Sequence, residues 1–460
     1  MKNLTLGTIA KVVSGTYHGP ERLLDREIEG ACLDSRLVRR EWLFFATPGE
    51  KTDGHNFLGQ VYEKGALCTI TQRDVEKADL PEGIALSDVA YIRVSDSFCA
   101  LRKLAAFYRT QLDVKVVGIT GSVGKTSTKE MIAAVLSAKY KVLKTEKNFN
   151  NAIGLPLTIL RLREDDRVAV LEMGISDFGE MAVLASMARP DIGVITNIGQ
   201  CHLENLGTRE GIFRAKTEFF GYLNEGGRVV LNGDDDLLSQ VKNVAGEEPV
   251  FFNKEPDCYA TDIVSDGLQG TRCRIRTRDM EIEARIPVPG EHQVSNACAA
   301  VAVASLLGLT GEEIRRGLVE TAVVDGRSRI IETEQYTIVD DCYNANPVSM
   351  KAGLKLLAET GGRKVAVLGD MFELGTEEKE LHREVGRAMR DPRFRPDVVI
   401  CIGQLARLIC EEAPQDLEKY YFEDKESFLA EHAKILKQND VILLKASHGM
   451  GFGDLVDALS

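Results

Sequence analysis

The segment Val116-Val-Gly-Ile-Thr-Gly-Ser-Val-Gly-Lys-Thr126 sets two glycines, a lysine and a hydroxyl between an apolar β-rich run and a helix-forming stretch. Gly121 and Gly124 allow the backbone to turn so that its N–H groups face an anion. The helix that follows adds its positive N-terminal end. Lys125 would then reach β- and γ-phosphates, and Thr126 would offer its hydroxyl to Mg²⁺. The spacing departs from the common GxxxxGK[ST], because Ile119 stands five residues before Gly124 and Gly118 one further back. An ordinary glycine-rich βα turn is the bland alternative. Lys-Thr at a helix start after a buried strand favours ATP.

Two further stretches carry groups suited to phosphate chemistry. The apolar run 168–171 ends in Glu172-Met-Gly174, and an acidic residue at the carboxyl end of a parallel strand beside a phosphate loop is placed to hold Mg²⁺. The run from Ile195 passes into a polar loop containing His202. A lone histidine is more often structural than a ligand, but a strand neighbouring that of Glu172 would bring His202 to the metal. Lys216, in Arg214-Ala-Lys-Thr-Glu218, has the spacing of a surface lysine on a helix.

These groups need a frame. The chain has 460 residues, about three typical domains. Lys plus Arg is 57 and Asp plus Glu 70, a net charge of −13. That balance argues against a nucleic-acid binder and leaves room for small anionic substrates recognised by a few local cations. No secretory leader is visible, and the longest apolar run, 297–309, is too short for a bilayer. Ten scattered cysteines without a CxxC pair look like reduced thiols of a cytoplasmic protein. The expectation is a cytoplasmic, monomeric enzyme without membrane insertion.

Hydrophobic patterning predicts α/β architecture in three domains. Residues 1–96 form a small α/β unit, joined by an amphipathic helix over 95–108. Residues 97–321 alternate strand (114–120, 167–173, 191–198) and helix (125–138, 178–188, 209–223), which implies a doubly wound, mostly parallel sheet. Period-two patterning between 249 and 288 adds antiparallel strands to it. An apolar helix follows over 293–309, and Thr310-Gly-Glu-Glu313 is a capping box. Residues 322–460 form a second, Rossmann-like α/β unit, opening with a hairpin over 329–341 and a helix over 349–359 and continuing with strands 364–368, 398–402 and 441–444.

Taken together, these residues resemble the Mur ligase family over nearly the whole chain. The resemblance is carried by Asp34-Ser-Arg36, Asp53-Gly-His-Asn-Phe57, Gly118–Met131, Asn148-Phe-Asn-Asn-Ala-Ile-Gly-Leu-Pro156, Leu171-Glu-Met-Gly174, Asn197–Leu203, Ala215-Lys216-Thr-Glu218, Asp340-Asp-Cys-Tyr-Asn-Ala-Asn-Pro347 and Val367-Leu-Gly-Asp-Met-Phe-Glu-Leu-Gly375. The second, fourth and fifth of the longer motifs (NFNNAIGLP, DDxYNANP, LGDMxELG) are similar to the branch that adds D-alanyl-D-alanine to UDP-N-acetylmuramoyl-tripeptide. The DNPR tetrapeptide of diaminopimelate-adding relatives does not occur.

The resemblance implies an ATP-dependent amide ligase working through an acyl phosphate, with the nucleotide-linked tripeptide and the dipeptide as substrates. It implies ATP contacts at Gly121, Ser122, Gly124, Lys125, Thr126, Ser127, Asn296, Arg327 and Asp341, with Tyr343, Asn344 and Asn346 facing nucleotide or dipeptide. It assigns Mg²⁺ to Thr126, Glu172, His202 and a carbamylated Lys216, and catalysis to Lys125, His202 and Lys216. Ser35, Arg36, Asp53, His55, Asn148 and Asn151 fall to the sugar-linked substrate. Departures from the family pattern are Val123 in the phosphate loop, Gln293 in His292-Gln-Val-Ser-Asn296, and His448 where an arginine is usual. Without the resemblance, a P-loop phosphotransferase or an ATP-binding regulatory module stays open. A layout that brings two substrates to one activated carboxylate favours the ligase.

Overall fold

In the computed structural model, which describes residues 1–49, 52–322 and 325–460, the strand Lys115–Thr120 lies inside a nine-stranded sheet. Its residues Val116, Val117 and Ile119 are fully buried, as expected of a strand covered on both faces. On one side stand Val168–Glu172 and then Val142–Lys144. On the other stand Ile192–Ile195, Arg228–Asn232 and Val250–Phe252. All these pair in parallel. The chain therefore reverses direction across the sheet at the phosphate-loop strand, the topological switch point where open α/β sheets bind ligands.

Beyond Val250–Phe252 the sheet continues as an antiparallel meander of Cys258–Ser265, Thr271–Thr277 and Glu281–Ile286. Strict alternation of buried and exposed residues in Glu281–Ile286 accounts for it. The helices Lys125–Ser137 and His292–Leu306 cover one face. The second is buried over Ala297–Ala304, and its small residues let it sit close to the first. The capping box forms: Thr310 Oγ1 accepts from the Glu313 amide, and Glu313 Oε2 accepts from the Thr310 amide.

The flanking units are smaller sheets. The N-terminal one has five strands in the order Thr16–His18, Tyr91–Arg93, Cys68–Thr71, Trp42–Phe45, Gly30–Cys32. Helix Ser97–Thr110 links it to the centre, with Asp96 accepting from the amides of Phe98 and Cys99 as the cap. The C-terminal sheet runs Arg329–Glu332, Tyr336–Asp340, Asp440–Lys445, Lys364–Gly369, Val398–Ile402, Glu418–Phe422, parallel except at its first strand.

Several sequence expectations change. The strand predicted over 191–198 stops at Ile195, because Thr196 and Asn197 turn their polar groups onto the phosphate loop. The helix predicted over 209–223 ends as α-helix at Thr217 and tightens into a 3₁₀ turn, Glu218–Tyr222. The short strands Val142–Lys144 and Glu418–Phe422 were not anticipated. They are half-exposed edge strands without a clear apolar pattern. Just past the boundary expected at 321/322, residues 323–324 lie outside the described residues. All ten cysteines are free thiols, and no helix among the described residues is long and apolar enough to cross a membrane.

Candidate active site

The phosphate loop is held by the strand beside it. Val123 donates its amide to Asn197 Oδ1 (3.0 Å), and its carbonyl accepts from Asn197 Nδ2 (3.1 Å) and Thr196 Oγ1 (2.6 Å). Ser122 Oγ donates to the Gly199 carbonyl and accepts from the Gly199 amide. A side chain at Gly121 would place its Cβ 1.9 Å from Thr196 Oγ1, and Gly121 has φ +147°. Gly124, at φ +82°, turns the chain into helix Lys125–Ser137. Because the backbone of residue 123 is what is gripped, valine in place of asparagine leaves the loop intact. Lys125 lies across the loop, Nζ donating to the carbonyls of Gly121 (2.7 Å) and Ser122 (3.3 Å).

Glu172 ends the adjacent strand and is 2 % exposed. Its Oε2 accepts from Thr126 Oγ1 (3.0 Å) and its Oε1 from Asn150 Nδ2 (2.9 Å). Lys129, equally buried, stands 3.9 Å from Oε2 and donates to the Thr145 carbonyl. The carboxylate is thus oriented by two hydrogen bonds and offset by a buried cation.

The strand that leads to His202 is not the neighbour of Glu172's strand. The two flank the phosphate-loop strand from opposite sides, so Glu172 and His202 reach the site from left and right of it. His202 has φ +50°, and burial pulls its imidazole below the usual range. Lys216 is not the surface lysine its spacing suggests. It is 1 % exposed, and burial draws its ammonium down to about 8. The two side chains acting on it, Cys201 and Lys125, include no carboxylate.

The C-terminal unit supplies the opposite wall of a cleft of about 570 Å³. Lys445, 2 % exposed, donates to Asp341 Oδ2 (2.7 Å) and to the Asn344 carbonyl (3.1 Å). The Arg327 guanidinium sits 4.3 Å from the Tyr343 ring centroid, and His448 packs on the same ring at 5.6 Å. On the central side, Thr128 Oγ1 donates to Asn296 Oδ1 (2.9 Å) and Asn296 Nδ2 to Gln293 Oε1 (2.8 Å). Gln293 therefore braces Asn296. Ser122, Gly124, Lys125 and Ser127 share this cleft with Glu172, His202 and Asn296, and with Arg327, Asp341, Tyr343 and Asn346 from across it. Asn346 also caps helix Pro347–Ala358, its Oδ1 accepting from the Ser349 amide.

Three domain models match in sequence: "Mur ligase family, catalytic domain" over residues 27–109, "Mur ligase middle domain" over 119–304, and "Mur ligase, glutamate ligase domain" over 326–448. The UDP-N-acetylmuramoyl-tripeptide–D-alanyl-D-alanine ligase of Bacillus subtilis is 38% identical over 99% of this chain and 98% of its own length. The chain belongs to the Mur ligase family. The Escherichia coli ligase of the same name is 33% identical over 100% of this chain and 99% of its own. Among solved structures, MurF from Acinetobacter baumannii superposes with a TM-score of 0.88 at 31% identity, covering 99% of this chain and 98% of that one. A Thermotoga maritima MurF in complex with ADP gives 0.80 at 31%, covering 93% and 96%.

Other residues expected at the site stand behind it, at its edge or outside it. Gly121, Thr126 and Lys216 sit behind the cleft surface. Asn151 lines it, but its Oδ1 accepts from the amides of Ile153 and Gly154. Asn148 is exposed outside the cleft. Its neighbour Asn150, not anticipated, is the asparagine of that motif that reaches Glu172. Only the pairing of its loop with Gly174, whose amide donates to the Asn150 carbonyl, distinguishes it.

In the N-terminal unit, Arg36 folds onto Asp34 with two-pronged geometry (Nε–Oδ1 3.0 Å, Nη2–Oδ2 2.7 Å), holding that carboxyl below its usual range. Ser35, largely buried, has its carbonyl taken by Lys64 Nζ. Asp53 accepts from the amide and Nδ1 of His55, and His55 Nε2 accepts from the Gln72 amide. Both ring nitrogens of His55 are thereby used within the protein, and the ring is 6 % exposed. In this arrangement its ring fastens the loop to the neighbouring strand end.

Proposed function

We propose that this chain joins D-alanyl-D-alanine to UDP-N-acetylmuramoyl-tripeptide at the expense of ATP, as a monomer in the cytoplasm, with 1–96, 97–321 and 322–460 as nucleotide-sugar, ATP and dipeptide units. The observation that carries this reading is the single cleft that faces a phosphate loop toward Arg327, Asp341 and Tyr343 of a second α/β unit. Full-length likeness to two ligases of that name supports it.

A carboxylate is a poor electrophile, and the site answers that by activation. The terminal carboxylate oxygen of the tripeptide attacks the γ-phosphorus of ATP and ADP departs. The dipeptide amine then attacks the acyl carbon, and inorganic phosphate leaves from the tetrahedral intermediate. Catalysis of both steps is positioning plus neutralisation of developing negative charge. In this reading the loop amides and Lys125 hold the β- and γ-phosphates. Asn296, Arg327 and Asp341 fix the nucleotide across the cleft, beside Tyr343 and Asn346. Ser35, Arg36 and Asp53 face the nucleotide sugar, and Asn148 and Asn151 the peptide stem.

The residues present also suit Mg²⁺. Thr126 Oγ1 and the Glu172 carboxylate meet at 3.0 Å beside the phosphate loop, a pair of hard oxygen donors of the kind Mg²⁺ takes together with substrate phosphates. Thr126, Glu172 and His202 would hold it. Lys216 would join them once carbamylated: its buried amine, drawn down to about 8, has a neutral fraction whose nitrogen bonds to CO₂ and releases a proton to solvent, leaving an anionic carbamate. When bound, Mg²⁺ supplies charge neutralisation on the transferring phosphoryl group.

The test supplies ATP, Mg²⁺, UDP-N-acetylmuramoyl-tripeptide and D-alanyl-D-alanine, and follows phosphate release and the pentapeptide mass. Phosphate release that ignores the dipeptide, or a single amino acid accepted in its place, would defeat the assignment.

A further inference from the structure

The Leu-Gly-Asp-Met-Phe-Glu-Leu-Gly375 motif has no part in the scheme above, yet it reaches the site. Glu373, in the C-terminal unit, places Oε2 2.9 Å from Nδ1 of His202 in the central unit. The two residues form part of a partition. His202 lines the catalytic cleft, and Glu373 lines a second cavity of about 810 Å³ between the same two units. The two atoms meet at ion-pair distance without the alignment of a hydrogen bond, so the carboxylate acts as a negative charge beside Nδ1 and favours the tautomer that carries its proton there. Nε2 is left with its lone pair, and the ring presents its other edge to the cleft.

The backbone on both sides is bent to make this meeting. His202 has φ +50° and Glu373 φ +62°, left-handed conformations that cost a non-glycine residue energy and gather where geometry is over-determined. Two residues on, Gly375 at φ +63° seats the turn against helix Leu203–Leu206. A Cβ there would lie 3.5 Å from the Glu204 amide. Glu373's side chain keeps 62 % exposure, and ion pairs that exposed contribute little to stability. The contact is therefore better suited to aiming a ring than to gluing two units.

We propose that Glu373 is a positioning residue for the ligase reaction: from the C-terminal unit it fixes the tautomer and orientation of His202, so that His202 is aimed at the cleft only while the two units are docked. This rests on the reading of His202 as a metal-holding residue. An outer carboxylate that orients a ligating histidine is commonly worth about 10- to 100-fold in affinity or rate.

The experiment uses the full chain with ADP and titrates Mn²⁺, reading free Mn²⁺ by electron paramagnetic resonance, beside steady-state kinetics with Mg²⁺. Glu373→Ala should weaken Mn²⁺ binding and lower kcat by about 10-fold or more, with KM for ATP within about threefold. Glu373→Asp, which keeps the negative charge on that turn, should recover part of both, whereas the neutral Glu373→Gln should not. The double variant His202→Ala/Glu373→Ala should be no worse than His202→Ala alone, because Glu373 acts through the ring. If His202→Ala loses both readouts while Glu373→Ala keeps them, the positioning role is wrong and the reading of His202 stands. If His202→Ala itself leaves Mn²⁺ binding and kcat unchanged, that reading fails and the proposal with it. An additive double variant would reduce Glu373 to an interface contact.

Discussion

In the N-terminal unit, Asp34 closes on Arg36 and Asp53 on His55, which in turn accepts from Gln72. Across the central cleft, Glu172, Asn296 and Asp341 are also hydrogen-bonded, but each is held from behind, by Thr126 and Asn150, by Thr128, and by Lys445. Glu172, Asn296 and Asp341 still line the shared space with Asn150 and Lys445, whereas Thr126 and Thr128 lie behind it. The first cluster closes on itself and stiffens a loop. The second is a braced set of polar groups aimed at a common volume, which is what preorganised catalysis requires. Polar residues close in sequence satisfy one another easily. Polar residues gathered from distant strands are oriented by their surroundings and keep a face for a ligand.

This contrast predicts a gradient of mutational effects. Lys125→Ala should be the most damaging, lowering kcat by about 10³-fold while the fold and melting temperature hold, since one charge aimed at a transferring phosphoryl group is lost. Single-turnover phosphate release measures it.

Lys216→Ala should cost about 10²-fold, and bicarbonate depletion should slow the wild type but not the variant. A lysine whose folded value lies near 8, below the ordinary 10.5, gives up its proton on folding only between those two pH values. Its buried ammonium is a stability penalty that is full below about 8 and disappears as pH rises toward 10.5. With ¹³CO₂, a carbamate carbon resonance should therefore strengthen between pH 7 and 9 and be missing from Lys216→Ala. A pH-independent signal, or its persistence in the variant, would break the assignment.

Asn150→Ala should reduce kcat by about tenfold by freeing one oxygen of Glu172, whereas Asn148→Ala, at the peptide stem, should show itself in KM for the nucleotide-linked tripeptide rather than in kcat. The ratio of the two sharpens which asparagine of the motif works at the site. His55→Ala tests the other side of the comparison. It should lower stability by roughly 1–3 kcal/mol, leaving the Gln72 amide and Asp53 without a partner, with KM for the nucleotide sugar nearly unchanged. Chemical denaturation beside kinetics reads both, and a large KM change with unaltered stability would make His55 a substrate contact after all.

Much of this was legible in the residues. The parallel strands around the phosphate loop are continuous apolar runs, the antiparallel addition shows period two, and Thr310–Glu313 carries its own cap. What patterning missed has physical causes. Val142–Lys144 and Glu418–Phe422 are edge strands fixed by pairing rather than by apolar sequence. Lys216 has the local surroundings of a surface lysine, and it is buried by the tertiary packing of its helix, which meets helices Glu180–Ala188 and Leu203–Leu206.

The sequence by itself determined which chemistry was possible: a loop whose amides can face phosphate, a carboxylate at a strand end, and two α/β units to hold two substrates. These depend on neighbours within a turn of chain, where hydrogen-bond geometry and side-chain period are local. Tertiary structure decided which residues share a site. Asn150 meets Glu172 across 22 positions and Thr128 meets Asn296 across 168, while Glu373 reaches His202 only because two units dock. Strand order and docking are set by burial summed over whole faces, a quantity that no short motif contains.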